Sequence, residues 1–303
     1  MQTISIIPST EINTTKWDAC VANNSNGLIY AYSYYLNHLV DHWHAVVVND
    51  YELIFPIPHK KKLGIQYSYM PAFTQQLGFI GNIALINPTV VNAIQSFVQY
   101  ASPYLNFSNQ QFAVEHGCKE QKNYILNLHQ PYESLKQHYQ KTMGYSLSKA
   151  AKFNLQYNHS NNFEHAVEAY YDYNKNNMPH VTKTNYEQLK KLMHFLQDNH
   201  QLLVRTITNE QEEILSEVVL MKDNKRYYNI INVTTALGRK QEANYLLYDH
   251  LLEELSNQPL LFDFEGSDLT GVQKFYEKFG AINQPYFHWH YNLLPKPLQW
   301  LKK

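Results

Sequence analysis

Cysteine is nearly absent from this 303-residue chain: Cys20 and Cys118 are the only two. They match no zinc-ligand spacing and no disulfide framework, which leads us to expect a reducing compartment, the cytoplasm. No run of about 18 or more apolar residues exists to span a bilayer, and the N-terminal MQTISIIPSTEINTTKW lacks the basic start and apolar core of a signal peptide. Arginine is scarce too, at Arg205, Arg226 and Arg239, beside many Lys, Asn and Ile. The 25 tyrosines fit the same codon bias and are not read as a base-stacking surface. A formal charge of −1 excludes a global pull toward nucleic acid. Locally, Pro58–Lys62 (PHKKK) is either an anion contact or a solvated turn. Glycine is also sparse, yet three of the ten (Gly266, Gly271, Gly280) fall within LLFDFEGSDLTGVQKFYEKFGA, residues 260–281.

At 44% hydrophobic and 17% charged, the chain is an ordinary globular sequence, long enough for two compact domains. No low-complexity linker marks a border, so the order of elements must supply it. PLLFDFE is a short apolar run between Pro259 and Gly266, and reads as a buried strand. Ser267 or Asp268 can cap the helix after it, whose Val272, Phe275, Tyr276 and Phe279 recur at three and four, with Gly280 as its stop. INQPYFHWHYNLL reads as a final strand. Upstream, Ala243, Leu246, Leu247, Leu251 and Leu255 share one helical face. Before that helix lie three strands, LLVRTIT, EILSEVVLMK and RYYNIINVTT, then two helices and the strand FNLQY. From about residue 153 the order is β-α-α-β-β-β-α-β-α-β. The first half repeats it approximately, with QTISIIPS, WHAVVVND, YELIFPIP, IQYSYM, YLNFS, QFAVEH and NYILNL as strands.

This order resembles the GNAT acyltransferase fold, and FYEKFGA resembles that superfamily's helical Tyr four residues before a Gly. Two such domains in tandem, with SLKQHYQKTMGYSLSKAAKFNLQY opening the second, are similar to the Fem family of peptidyltransferases and their FemAB-like relatives. The matching residues are Ser148, Lys149, Ala150, Lys152 and Leu155, then Asp263, Phe264, Gly266, Gly271, Phe275, Phe279 and Gly280. The expected fold class is therefore α/β (α+β), with two tandem GNAT-like domains at 1–129 and 130–303, each a mixed central sheet flanked by helices. The resemblance implies transfer of an aminoacyl or other acyl group from an activated donor to an amine acceptor. The donor is open between aminoacyl-tRNA, an acyl carrier thioester and CoA, and no covalently bound cofactor is implied. The sequence departs from the family in having Tyr276 where many Fem proteins carry Lys.

Such transfer needs a neutral amine, a polarised carbonyl and a proton for the leaving group. The site is expected where RYYNIINVTT splays from PLLFDFE, with the acceptor between the two domains. Asp263 and Glu265 are candidates to orient or deprotonate the amine; their other reading is solvated strand-end carboxylates. Tyr276 is a candidate proton donor to the leaving group, or a core tyrosine among apolar helical neighbours. For donor phosphates the candidate stretch is the strand-to-helix turn with Gly238, Arg239, Lys240, Gln241, Ala243 and Asn244. Glu242 and Asn244 stand where acetyl-CoA enzymes of this fold have glycine, which argues against ordinary CoA binding. The pairs His42/His44 and His288/His290 each share a strand face, but no third ligand is evident, so no metal is expected. The rival reading is a non-catalytic binding module that kept the fold.

Overall fold

A computed structural model describes residues 2–266 and 269–299 of the chain. It divides into two compact units. One is Lys122–Gln284; the other holds what precedes it and takes back the segment beginning at Pro285. This corrects the expected border at 129/130 and the uninterrupted second domain. NYILNL supplies a strand of the second unit's sheet, and the expected final strand breaks into three pieces. Ile282–Asn283 pairs within the second unit, whereas Tyr286–His288 and Tyr291–Asn292 pair within the first. Pro285, which has no N–H to give a ladder, sits at the first break.

In the first unit, strands Ile4–Pro8, Trp43–Val48, Leu53–Lys62, Ile65–Ser68, Tyr100–Ala101 and Tyr291–Asn292 lie side by side in that order, with Ile80–Gly81 paired to Leu53–Lys62. A three-stranded sheet joins Tyr104–Leu105, Tyr286–His288 and Lys119–Gln121. Val46, Val48, Phe55 and Ile57 pack with Phe79, Val90, Ile94, Phe112 and Trp289 to form the core. QFAVEH, expected as a strand, is helical over Gln110–Glu115. Its neighbours Phe112 and Ala113 are both buried, which a strand with one wet face does not permit.

The second unit's elements are labelled β1 (Tyr124–Asn127), α1 (Tyr132–Gln137), α2 (Lys141–Ala150), β2 (Gln156–Ser160), α3 (Phe163–Asn174), α4 (Lys183–Asp198), β3 (Leu202–Thr208), β4 (Ile214–Lys222), β5 (Arg226–Thr234), α5 (Ala236–Lys240), α6 (Ala243–Leu255), β6 (Leu261–Asp263), α7 (Thr270–Lys278) and β7 (Ile282–Asn283). Its sheet runs β2-β3-β4-β5-β6-β1-β7, antiparallel throughout except for β5/β6. Val218 and Leu220 of β4 join a core cluster with Leu247 and Leu251 of α6 and with Leu135 and Met143 of α1 and α2. Val219 and Met221, on the other face by the pleat, are equally buried, and α3 and α4 pack on that face. Asn162 caps α3, and Thr182 with Asn185 forms a capping box on α4, so polar side chains satisfy these helix starts. The expected caps Ser267 and Asp268 lie outside the described residues.

One feature of this sheet positions chemistry. β5 and β6 pair only over Arg226–Tyr228 with Leu261–Asp263, after which β5 continues beside β4 as far as Thr234. Opposite β4, the register passes from Asn229 to Ile231, leaving Ile230 as a bulge. A bulge adds local twist, which drives β5 away from β6 where their pairing stops.

Candidate active site

The far end of β5 (Asn232, Val233, Thr234) opens on a cavity of about 350 Å3. Gly238 and Arg239 of α5, Glu242 before α6, Asn244 and Tyr245 of α6, Gly271, Val272 and Phe275 of α7, and Tyr173 of α3 form its other walls. Three of the six expected donor residues line it: Gly238, Arg239 and Asn244. Lys240 is exposed and Ala243 is buried in the core. Gln241 is half-buried, and its Oε1 has no partner among the described residues. Asn244 accepts hydrogen bonds from Ser216 Oγ and Asn232 Nδ2, at 2.9 and 3.0 Å, so its side chain ties α6 to the sheet.

The turn itself differs from a simple strand-to-helix step because α5 intervenes. Gly238 is needed there for packing: a Cβ would lie 2.2 Å from the Leu215 carbonyl oxygen. The conformation of a glycine loop appears instead at Glu242, which precedes α6 with φ +59. A non-glycine residue in this left-handed region costs roughly 1–2 kcal/mol. The Glu242 carboxylate is held by Lys149 of α2 at 2.9 Å, which brings that residue of the SLSKAAK segment to the lip of the cavity. Arg239 donates to the Thr234 carbonyl and lies over the Tyr173 ring. The turn thus carries Arg239, Lys240 and Lys149 against the single carboxylate of Glu242.

Asp263, Glu265 and Tyr276 do not line this cavity. Asp263 is fully buried and accepts from Arg226 Nη1 at 2.9 Å, Asn123 Nδ2 at 3.0 Å and the Glu265 N–H at 3.0 Å. Enclosed in the core and already accepting three hydrogen bonds, it faces no acceptor amine in the cavity and fixes the end of β6 instead. Glu265 is half-buried with φ +68, in the turn Asp263 holds. Tyr276 packs against Phe264 and Tyr124 in the core. Burial pushes its hydroxyl pKa well up, and the nearby Glu265, Tyr170 and Asp263 add to the shift. It therefore stays protonated and donates a hydrogen bond better than it gives up a proton.

Sequence reading missed Asn229, the first β5 residue beyond the pairing with β6 and buried. Its amide lies near enough to the Tyr248 and Tyr276 hydroxyls to temper their upward shifts. Yet its Oδ1 and the Tyr248 hydroxyl make no well-formed hydrogen bond among the described residues. Such unmade bonds are expensive in a core, about 1–3 kcal/mol each, and sit here where the strands part. The histidine pairs go elsewhere: His44 Nδ1 meets His59 Nε2 at 2.8 Å, His288 Nε2 meets Ser102 Oγ at 2.6 Å, and His290 stands edge-on to Tyr100.

The structure aligns over 98% of its length with FemX, covering 99% of that chain, at a TM-score of 0.68 and 12% identity. The chain has the FemX fold. Two other solved structures share it: the C-terminal domain assigned to a lysylphosphatidylglycerol synthetase of Agrobacterium fabrum (TM-score 0.58, 10% identity, 97% of this chain, 95% of that one), and a GCN5-related N-acetyltransferase from Sphaerobacter thermophilus (0.50, 10%, 96%, 96%). No family model matches the sequence, and no curated protein does. Within the FemX fold the tandem GNAT-like, mixed-sheet architecture expected from element order is observed. Among the described residues no helix is long and apolar enough to cross a membrane.

Proposed function

We propose that the second unit transfers an acyl or aminoacyl group from an activated ester or thioester to a primary amine. The observation that carries this is the parting of β5 from β6 at Asn229 and the cavity that opens at the end of β5. In the reaction the amine nitrogen bonds to the carbonyl carbon, the carbon–oxygen or carbon–sulfur bond to the donor breaks, and the amine's proton is lost as the leaving group gains one. Main-chain N–H groups on the edge of β5 past Tyr228, where the pairing with β6 has ended, would hold the carbonyl oxygen, and the Asn229 amide would add a polar group with unused capacity. Tyr276 in the core and Glu265 in the turn after β6 lie outside this cavity, so neither is given the amine in this reading. Arg239, Lys240 and Lys149 would face the donor's phosphates. The Glu242 side chain, where close approach favours glycine, weighs against seating a CoA pyrophosphate in the turn and toward aminoacyl-tRNA or a carrier thioester.

Gly271 provides the test, because a Cβ there meets nothing within 4 Å while the residue lines the cavity. Gly271→Trp should fill the cavity and leave the fold intact. Purified protein is incubated with aminoacyl-tRNA, acyl carrier and acyl-CoA donors and a panel of amines, and amide products are read by mass. We expect product from the wild type and at least a ~10²-fold loss in the Trp variant, the scale of lost positioning. Equal turnover by a folded Trp variant removes the cavity from the reaction. Tight donor retention with no turnover makes the chain a binding module.

A further inference from the structure

Outside that cavity, a second one of about 440 Å3 lies beneath α3, at the open end of β4 and β5. It is lined by His165 and Ala169 of α3, Glu212, Ser216 and Glu217 of β4 and the turn before it, and Val233 of β5, among others. No Lys or Arg is among its lining residues, whereas two carboxylates are. Glu217 is a charged residue on a central strand with its side chain only 3% exposed. Among the described residues it forms no ion pair with Lys or Arg. Its cross-strand neighbours are Thr206 and Val233. Its partner is His165, whose Nδ1 lies 2.9 Å from Oε1 and 3.0 Å from Oε2.

An ionised carboxylate only accepts, so Nδ1 carries a proton, and in the neutral ring Nε2 keeps its lone pair. No hydrogen bond engages Nε2 among the described residues. Burial pushes the Glu217 pKa up, against the opposing bond from His165. Beside this face of α3, Glu164 pairs with His194 at 3.3 Å and Glu168 with Lys190 at 3.2 Å, both on α4, and Arg239 lies over Tyr173 at the far end. Only Glu212 adds an unneutralised charge to the lining.

The cavity adjoins the proposed transfer site. Val233 lines both spaces. His165, Ala169 and Tyr173 stand four residues apart on one face of α3; the first two line this cavity and the third lines the other. Eight helical residues span ~12 Å, so one helix face bridges the two.

We propose that the cavity under α3 is the subsite for the acceptor, a molecule bearing a primary ammonium group, and that His165 Nε2, held in place by Glu217, takes the proton this group must lose. A primary ammonium with pKa near ~10 is almost wholly protonated at neutral pH and cannot attack a carbonyl until it gives a proton up. In the step the N–H bond breaks, its electron pair stays on nitrogen, the proton forms a bond to Nε2, and the imidazolium so made is stabilised by the Glu217 carboxylate before it releases the proton to water. The inference rests on the transferase reading for its purpose, but its binding component can be measured without turnover.

The probe is n-butylammonium, with n-butanol as the uncharged control, titrated against the full chain carrying 15N-histidine. Expected are an Nδ1-protonated His165, a His165 signal that moves with n-butylammonium and not with n-butanol, and about tenfold weaker binding in Glu217→Gln, which keeps the shape and an acceptor oxygen. An Nε2-protonated ring, or a signal unmoved by n-butylammonium, overturns the proposal. Where transfer is detected, His165→Gln should lower kcat/KM ~10²-fold, the scale of a lost general base, with an unchanged melting temperature. Full activity in that variant overturns the proton-accepting role and leaves the transferase reading standing. Ammonium binding with no transfer from any donor does the reverse.

Discussion

Replacing Asp263 by Asn separates a structural carboxylate from a chemical one. The two oxygens of Asp263 receive three donors: Arg226 on Oδ2, and Asn123 Nδ2 and the Glu265 N–H on Oδ1. An asparagine has one oxygen. Turned toward Arg226 it points its own NH2 at two other donors; turned the other way it points NH2 at a guanidinium. Either way a buried bond is lost and the Arg226 charge is no longer neutralised by its partner. Removing one member of a buried pair costs about 3–5 kcal/mol. The lower end applies here because Asp223 also acts on the Arg226 charge. A loss of ~3 kcal/mol in a unit of this size lowers the melting temperature by about 6–12 °C. The assay is thermal unfolding of wild type, Asp263→Asn and the double variant Asp263→Leu/Arg226→Met. The double variant should recover only part of the loss: it carries no unpaired Arg226 charge, but Asn123 Nδ2 and the Glu265 N–H lose their acceptor. An Asp263→Asn protein that melts within about 1 °C of wild type refutes this reasoning. If that protein had also lost transfer, Asp263 would return as a catalytic group.

Two other substitutions probe the turn and the first unit. Glu242→Gly should relieve the left-handed backbone cost and remove the carboxylate at the cavity lip, so CoA should bind several-fold more tightly by calorimetry with stability changed by less than ~1 kcal/mol; unchanged CoA affinity would show that the carboxylate is not the obstacle. In the first unit His59 is pushed down to about 4 by burial first, then by His44 and His42. Its folded pKa lies below the unfolded value, so the stability it contributes is present above about 6.5 and lost as pH falls toward about 4. Because the ring is half-exposed, the loss should be on the order of 1 kcal/mol, and His59→Gln should flatten the fall in melting temperature across that window.

Element order in this chain was legible because it rests on local periodicity. Val272, Phe275, Tyr276 and Phe279 recur as a helix must, and Val218, Val219, Leu220 and Met221 are apolar on both faces because helices cover both. Strand partnership was not legible. Tyr124–Asn127 and Tyr286–His288 have the right alternation for a strand in either unit, and only long-range register decides which sheet takes them. Likewise the sequence presents Asp263 and Glu265 as an adjacent acidic pair, two residues apart. Arg226, which separates their roles by burying one of them, lies 37 positions away. His165 and Glu217, 52 positions apart, gave no sequence signal of their own.

Glu242 shows how far residue identity and backbone conformation can part. A pattern search for the phosphate loop fails at this position because it looks for glycine, and glycine is sought for the sign of φ it permits. The chain adopts that sign anyway, φ +59 at a glutamate, and holds the side chain with Lys149. A strained backbone at a cavity lip persists only where the surrounding structure over-determines it. Here that structure is α5, locked by Gly238 against the Leu215 carbonyl, and α6, tied to the sheet through Asn244, Ser216 and Asn232. On the proposed reading the turn keeps the left-handed step of a donor loop while placing a carboxylate where close approach favours a bare backbone. That combination, on the same reading, disfavours a CoA donor by charge and bulk without dismantling the site, so exchanging the single residue Glu242 for glycine should alter donor preference rather than fold.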